Sequence, residues 1–220
     1  MGKTTLAVDI ICTNLLKQVR RCYAACPTFH QQPALARLRE AKGNPFPKRH
    51  IFTTVSDDVF EAIFIALNRV RAPTLLLVDD AAAEAATNKG NKGAFSRLCL
   101  AAPHLNLSIV GVFQRLTSAS PAFRDNCEGI ISFVPTKILD VDVIFKEFNP
   151  APASMKSKNI VFNALSSAWQ FSRFCFIWRE KFTGHVFYFA GFDTRIEFND
   201  DEQQYLYPDH SYDEPEISEY

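Results

Sequence analysis

Nowhere in its 220 residues does the chain hold a run of about 18 apolar residues, so nothing in it reads as a membrane-spanning helix, and no secretory signal pattern is present. A second Cys/His pair at zinc-finger spacing is also missing. Cys22 and Cys26 stand close together but alone, which argues against a zinc site. The six cysteines, Cys12, Cys22, Cys26, Cys99, Cys127 and Cys175, sit mostly within apolar runs, where a thiol behaves as a small hydrophobe. They read as reduced thiols of an intracellular protein. No internal repeat is visible. Lys and Arg are absent from Asn199 to Tyr220, which gathers eight acidic residues. The chain as a whole balances 24 basic against 24 acidic residues, so residues 1–198 carry 24 against 16, a net charge of +8. Such a body can neutralise nucleic-acid phosphates. The acidic segment reads as a solvated, disordered tail behind a single domain spanning 1–198. Hydrophobic content of 47% and charged content of 22% are those of an ordinary globular domain.

Met1-Gly2-Lys3-Thr4-Thr5 is the second half of a phosphate-binding loop. In the full pattern, G-x-x-x-x-G-K-[ST], backbone N–H groups wrap the phosphates, the Lys reaches the β/γ oxygens and the Ser/Thr hydroxyl holds Mg²⁺. The first glycine and the strand that feeds such a loop are absent from this sequence, as expected of a chain begun too late. Removing a central strand should also leave a sheet edge or a slot open.

Helical spacing over Thr5 to Lys17 predicts a helix whose N-terminus faces phosphate. Val19 to Ala25 reads as a strand closed by Cys26-Pro27-Thr28. Gln31 to Arg49 reads as a helix and an exposed loop with a basic cluster at Lys42, Lys48 and Arg49, and Ile51 to Thr54 as a short strand. Ser56 is a candidate N-cap, with Asp57 and Asp58 in the first turn of a helix reaching Val70. Thr74 to Val78 is an unbroken apolar strand of the kind buried on both faces of a parallel sheet. Small and polar residues from Ala81 to Gly93 predict a mobile loop. Phe95 to Ala102 follows as a helix, and Leu107 to Phe113 and Gly129 to Val134 as two further buried strands. Leu139 to Phe148 reads as a short helix, and Asn149 to Lys158 as a linker. Two aromatic strands, Phe171 to Trp178 and His185 to Phe192, then predict a β-hairpin. The expected fold is α/β, a P-loop NTPase with a mainly parallel sheet flanked by helices, its first strand missing, and a C-terminal β-hairpin.

The loop assigns Gly2, Lys3, Thr4 and Thr5 to nucleotide binding, with Thr4 also a magnesium ligand. Leu75-Leu76-Leu77-Val78-Asp79-Asp80 strengthens that assignment, because a buried strand must deliver its carboxylate at its C-terminal end, beside the loop. Asp79 would order the Mg²⁺ shell, and Asp80 would act as general base on the attacking water. Gln114, at the tip of the Leu107 to Phe113 strand, is a candidate γ-phosphate sensor. Arg124, within Pro121-Ala122-Phe123-Arg124-Asp125-Asn126, can stabilise transition-state charge in cis or across a subunit interface.

Taken together, GKTT at 2–5, Cys26-Pro27-Thr28, LLLVDD at 75–80, SIVGVFQ at 108–114, the P-x-x-R-x-N run at 121–126 and the terminal hairpin resemble the genome-packaging ATPases of large eukaryotic DNA viruses. The resemblance extends to their poxvirus-type, virophage and polinton relatives in the FtsK/HerA superfamily and runs from Gly2 to about Gly191. It implies ATP and Mg²⁺ as cofactors and a homo-oligomeric ring that drives double-stranded DNA into a preformed capsid. It further implies capsid or portal-vertex partners, no membrane, and a virion assembly site inside the host cell. Lys89 and Lys92 are the candidate pore contacts. Two departures are the incomplete loop and Pro103-His104, where the family often has Arg-His, so one expected cation is gone. The competing expectation is an inactive pseudo-ATPase or decayed endogenous viral copy acting at most as a binding scaffold. An ATPase of filamentous-phage assembly or export would carry a membrane segment, which the sequence lacks.

Overall fold

The computed structural model describes residues 2–79, 93–133, 176–180, 186–190, 194–198 and 205–206, in two compact units. Asp80, the loop with Lys89 and Lys92, the segment 139–158 and the acidic tail lie outside the described residues, apart from Tyr205 and Leu206.

The first unit is built on four parallel strands in the order β2-β1-β3-β4: β1 (Arg21–Ala25), β2 (Ile51–Phe52), β3 (Thr74–Asp79) and β4 (Leu107–Val112). Every residue of β3 is buried, because it lies between β1 and β4 with helices over both faces. Its side chains alternate between two cores, as the two-residue period of a strand requires. Leu76 and Val78 join Phe60, Ile63 and Leu67 of α3 (Asp57–Arg69) and Phe95 and Leu98 of α4 (Ala94–Ala101). Leu75 and Leu77 face the other way, toward Val8 of α1 (Lys3–Ile10), Ile11, Phe29, and Leu35 and Leu38 around α2 (Ala36–Arg39). This is the doubly wound parallel arrangement expected from the unbroken run.

Ser56 caps α3 as expected, its Oγ accepting from the Val59 N–H at 3.4 Å. The first helix departs from expectation. It is α-helical only to Ile10 and continues as a π-helix over Ile11–Leu15, where the Leu16 N–H reaches the Ile11 carbonyl at 2.9 Å. Thr13 lies within this π turn, its Oγ1 donating to the Asp9 carbonyl at 2.6 Å, a back-bond of the kind that bends helices.

Two strand assignments are also corrected. Leu107 to Phe113 reads as a buried strand, yet most of β4 is only partly buried, since among the described residues it has a neighbour on one side only. Gly129 to Val134 forms a strand, β5 (Gly129–Phe133), but it is exposed to half-buried and lies outside the parallel sheet. Instead β5 starts the second unit, an antiparallel sheet in the order β5-β6-β7-β8-β9. Its other strands are β6 (Phe176–Glu180), β7 (Val186–Ala190), β8 (Thr194–Phe198) and β9 (Tyr205–Leu206). The expected aromatic hairpin is the β6–β7 pair, with Phe176 opposite Phe189 and Arg179 opposite Val186.

An aromatic series ties the α3/α4 face together. Phe60 and Phe95 have ring centroids 4.9 Å apart, Phe95 and Phe123 of α5 (Pro121–Asn126) 5.7 Å, and Phe123 and Phe113 5.4 Å. The last two rings close over Gly111, where an added Cβ would stand 2.5 Å from Phe113 Cε2 and 2.8 Å from Phe123 Cζ. Gly111→Ala is therefore expected to lower stability by about 1–3 kcal/mol, from overpacking. Urea unfolding checks this. A midpoint equal to the parent's would show that the two rings swing aside freely.

Candidate nucleotide site

Parallel strands carry their functional side chains at their C-terminal ends, and the elements of this site converge there. Gly2 opens α1 with φ at 120°, a left-handed conformation that side-chain-bearing residues rarely adopt. No side chain caps α1, so the first-turn N–H groups of Lys3, Thr4 and Thr5 and the positive end of the helix dipole form an anion-binding start. Lys3 and Thr5 are exposed, and Thr4 is half-buried.

Thr4 meets the strand that the sequence pairs with it. Its Oγ1 donates to Asp79 Oδ1 at 3.4 Å, across 75 positions of chain. Asp79 is only 2% exposed, at the last position of β3. A hydroxyl and a carboxylate are hard oxygen donors, and Mg²⁺ is commonly held by one or two such protein oxygens together with substrate phosphates. The pair therefore fits that ion.

A residue without any signal in the sequence joins them. Gln32 Nε2 donates to Thr4 Oγ1 at 3.3 Å, and Thr28 Oγ1 donates to Gln32 Oε1 at 3.4 Å. Cys26 Sγ lies 3.6 Å from the Thr28 hydroxyl. The Cys26-Pro27-Thr28 junction thus supports a donor chain running from Thr28 through Gln32 and Thr4 to the Asp79 carboxylate. Arg39 of α2 holds the intervening loop, its Nη1 donating to the carbonyls of Phe29 at 2.7 Å and of Gln32 at 3.1 Å. Gln32 follows no recognisable motif. Only the loop's closure against α1 brings it to Thr4.

Gln114 is exposed and lies two residues past Val112, which pairs with Asp79 in the β3–β4 register. The strand order thus puts it at the same edge as Asp79, with Phe113 packed against Phe123 beneath it. Arg124 is half-buried on α5, and its Nη1 donates to the Ala119 carbonyl at 2.5 Å, just before the helix. The Ser120 side chain caps the same helix through the Phe123 N–H. No hydrogen bond links Gln114 or Arg124 to Thr4 or Asp79 among the described residues.

Burial raises the thiol pKa of Cys22 to about 11 and pushes Cys99 higher still, with the neighbouring Cys127 adding to the rise. Cys12 is also raised, chiefly by burial. All three thiols stay protonated at neutral pH and so are poor nucleophiles. No described helix is long and apolar enough to cross a membrane.

No protein-family profile matches the chain, and no curated protein matches it in sequence. Solved structures do resemble it. The genome-packaging NTPase B204 of Sulfolobus turreted icosahedral virus 2, in complex with ATP-gammaS, is 15% identical with a TM-score of 0.55. The match covers 85% of this chain and 90% of that one. The same NTPase in complex with AMPPCP matches at 14% identity and a TM-score of 0.55, over 84% and 92% of the two chains. B204 described as the DNA-packaging ATPase of Sulfolobus turreted icosahedral virus is 12% identical with a TM-score of 0.57, again over 84% and 92%. At such identities the likeness shows a common fold, the α/β P-loop NTPase fold expected from the motifs.

Proposed function

We propose that this chain is a genome-packaging motor subunit, one that hydrolyses ATP with Mg²⁺ and uses the energy to move double-stranded DNA into a viral capsid. The observation that carries the reading is the Thr4–Asp79 hydrogen bond, which joins the start of α1 to the C-terminal end of a buried central strand. The fold likeness to the packaging NTPase B204, seen with ATP analogues, supports the same reading.

In this mechanism the N–H groups of Lys3, Thr4 and Thr5 cradle the phosphates, and the Lys3 ammonium reaches the β/γ oxygens. Thr4 and Asp79 would hold Mg²⁺, which when bound offsets negative charge on the β- and γ-phosphate oxygens. Gln32 keeps the Thr4 hydroxyl oriented, since its amide occupies one lone pair of Oγ1 while the hydroxyl proton points at Asp79. Asp80 accepts a proton from water as the water oxygen attacks the γ-phosphorus and the bond to the β–γ bridging oxygen breaks, leaving ADP and phosphate. Gln114 reports the γ-phosphate from the tip of β4. Arg124 reaches transition-state charge, on its own subunit or a neighbour's, within a ring of identical subunits. Lys89 and Lys92 contact DNA in the pore, and capsid or portal-vertex proteins anchor the ring at the virion assembly site in the host cell.

The test is ATP turnover by the 220-residue chain with and without double-stranded DNA, with Asp80→Asn as the blank. Turnover above the blank, raised severalfold or more by DNA, is expected. Turnover equal to the blank under both conditions would overturn the motor and leave an inactive pseudo-ATPase that serves as a binding scaffold.

A further inference from the structure

The charge of the first unit is unevenly placed between the two ends of its sheet. Chain segments 16–22, 46–51, 68–74 and 102–108 lead into or begin β1, β2, β3 and β4, and none contains an Asp or Glu. Parallel pairing sets Arg21, Thr74 and Leu107 side by side at the N-terminal edge, while Ile51 of β2 pairs with Ala24, and the residues before it run back past Cys22 toward that edge. That edge is roughly 17 Å from Asp79, the length of a six-residue strand.

Backbone contacts bring the basic residues of this edge together. The Arg20 N–H donates to the Pro73 carbonyl at 2.8 Å, setting Arg20 and Arg21 beside the approach to β3 that carries Arg71. The His50 ring lies 4.3 Å from that of Tyr23, with Nδ1 3.2 Å from the Cys22 carbonyl oxygen, which brings Lys48 and Arg49 alongside Arg21. Burial first, then the charges of Arg49 and Arg21, hold the His50 pKa below the ordinary histidine value, against the opposing pull of the Cys22 carbonyl. Arg20, Lys48, Arg49 and Arg71 are exposed, and none pairs with an acid among the described residues. By contrast, exposed Arg37 and Arg97 on α2 and α4 pair with Asp9 and Glu61. Surface cations in a mixed-charge protein ordinarily lie among acids. Here they are concentrated in segments that contain no acid, with exposed Gln18, Asn68 and Asn106 as neutral hydrogen-bonding residues of the same segments.

From this juxtaposition of unpaired cations on the approaches to three adjacent strands we infer that the N-terminal edge of the sheet is a docking surface for the phosphate backbone of duplex DNA, at the end of the unit away from the nucleotide site. Adjacent strands lie about 4.8 Å apart, so the cations of β2, β1 and β3 span about 10 Å before the reach of their side chains is added. That width lets them engage several phosphates of one backbone. Lys and Arg contacts to phosphate position a duplex without reading its sequence. The inference rests on the proposal that DNA is the motor's cargo, and it adds where the backbone is gripped.

The experiment is fluorescence anisotropy of a labelled 30-base-pair duplex with the full chain, from 50 to 300 mM KCl, alongside nucleotide binding by the same samples. Each double variant, Arg20→Gln with Arg71→Gln and Lys48→Gln with Arg49→Gln, should weaken DNA binding about fivefold or more. Each should also lower the slope of log K against log salt by about 1.8, or 0.9 per lost phosphate contact. Arg37→Gln with Arg97→Gln, an equal charge loss on α2 and α4, should change the affinity less than twofold. Nucleotide binding should be unchanged in all three. Equal loss in the control pair, an unchanged slope in both test pairs, or polyglutamate binding as tight as the duplex and equally sensitive to the substitutions would overturn the surface. DNA binding that follows these rules in a chain without ATP turnover would keep the surface while removing the motor.

Discussion

Asp79→Asn will lower ATP turnover by at least about 100-fold without lowering the melting temperature, if the site works as proposed. Asparagine keeps the shape of the side chain, and its Oδ1 can still accept the Thr4 hydroxyl, so the local geometry at the end of β3 has no reason to move. What changes is charge. A carboxylate that is only 2% exposed carries a desolvation cost that a neutral amide avoids, which offsets what the fold loses with the charged form of its hydrogen bonds. The same charge is what would hold the divalent ion against the phosphates, and losing one such electrostatic contact typically costs 10²–10³ in rate, or about 3–4 kcal/mol. Stability and activity are therefore expected to move apart, as they do where a function keeps a costly group buried. Steady-state phosphate release and differential scanning calorimetry on the same preparation check this. A variant that turns over like the parent, or that loses activity only in step with its melting temperature, would make Asp79 structural.

Phe95→Ala is expected to have the largest effect on stability, about 3–5 kcal/mol, against a total of about 5–15 kcal/mol for a typical domain. Phe95 is fully buried and sits at the middle of the aromatic series, touching Phe60 of α3 on one side and Phe123 of α5 on the other. Its removal leaves a cavity that neither helix can fill, because each is held by other contacts: α3 through Ile63 and Leu67 against β3, and α5 through its Ser120 cap. The melting temperature should fall by about 10 °C or more. Leu100→Ala on the same helix is the comparison, since Leu100 is 52% exposed and its loss should stay within about 0.5 kcal/mol. Equal effects from the two substitutions would mean that α4 packs in another orientation. The series also links stability to the site: Phe123 supports Phe113, which directly precedes Gln114.

How much of this was legible beforehand varies with the range of the interaction. The Ser56 cap, α3 and β3 are local: a hydroxyl before an apolar period of 3.6, and an unbroken apolar run, mean much the same in any globular fold. The first helix was legible in place but not in kind, because helical spacing of apolar residues does not distinguish an α from a π turn over Ile11–Leu15. For β4 the apolar composition matched burial, but exposure depends on how many neighbours a strand acquires. Gly129 to Phe133 shows the same limit more sharply. Its residues mark a strand, while its antiparallel partner, Phe176–Glu180, lies far along the chain and is not encoded in its own pattern.

The site divides along the same line. The amino-acid order by itself singled out Gly2 to Thr5 and Asp79 as the candidates for phosphate and magnesium chemistry, because a glycine-lysine-threonine turn and an acid ending a buried run are residue types suited to it. It also determined the doubly wound class, through apolar runs that only a sheet covered on both faces can absorb. Only the tertiary structure decided that Thr4 and Asp79 touch, that Gln32 joins them through a loop held by Arg39, and that bases scattered from Arg20 to Arg71 lie together at one edge of the sheet. Those are distances between residues remote in the chain. They are set by parallel pairing and by helices closing over both faces, which no local segment can specify alone.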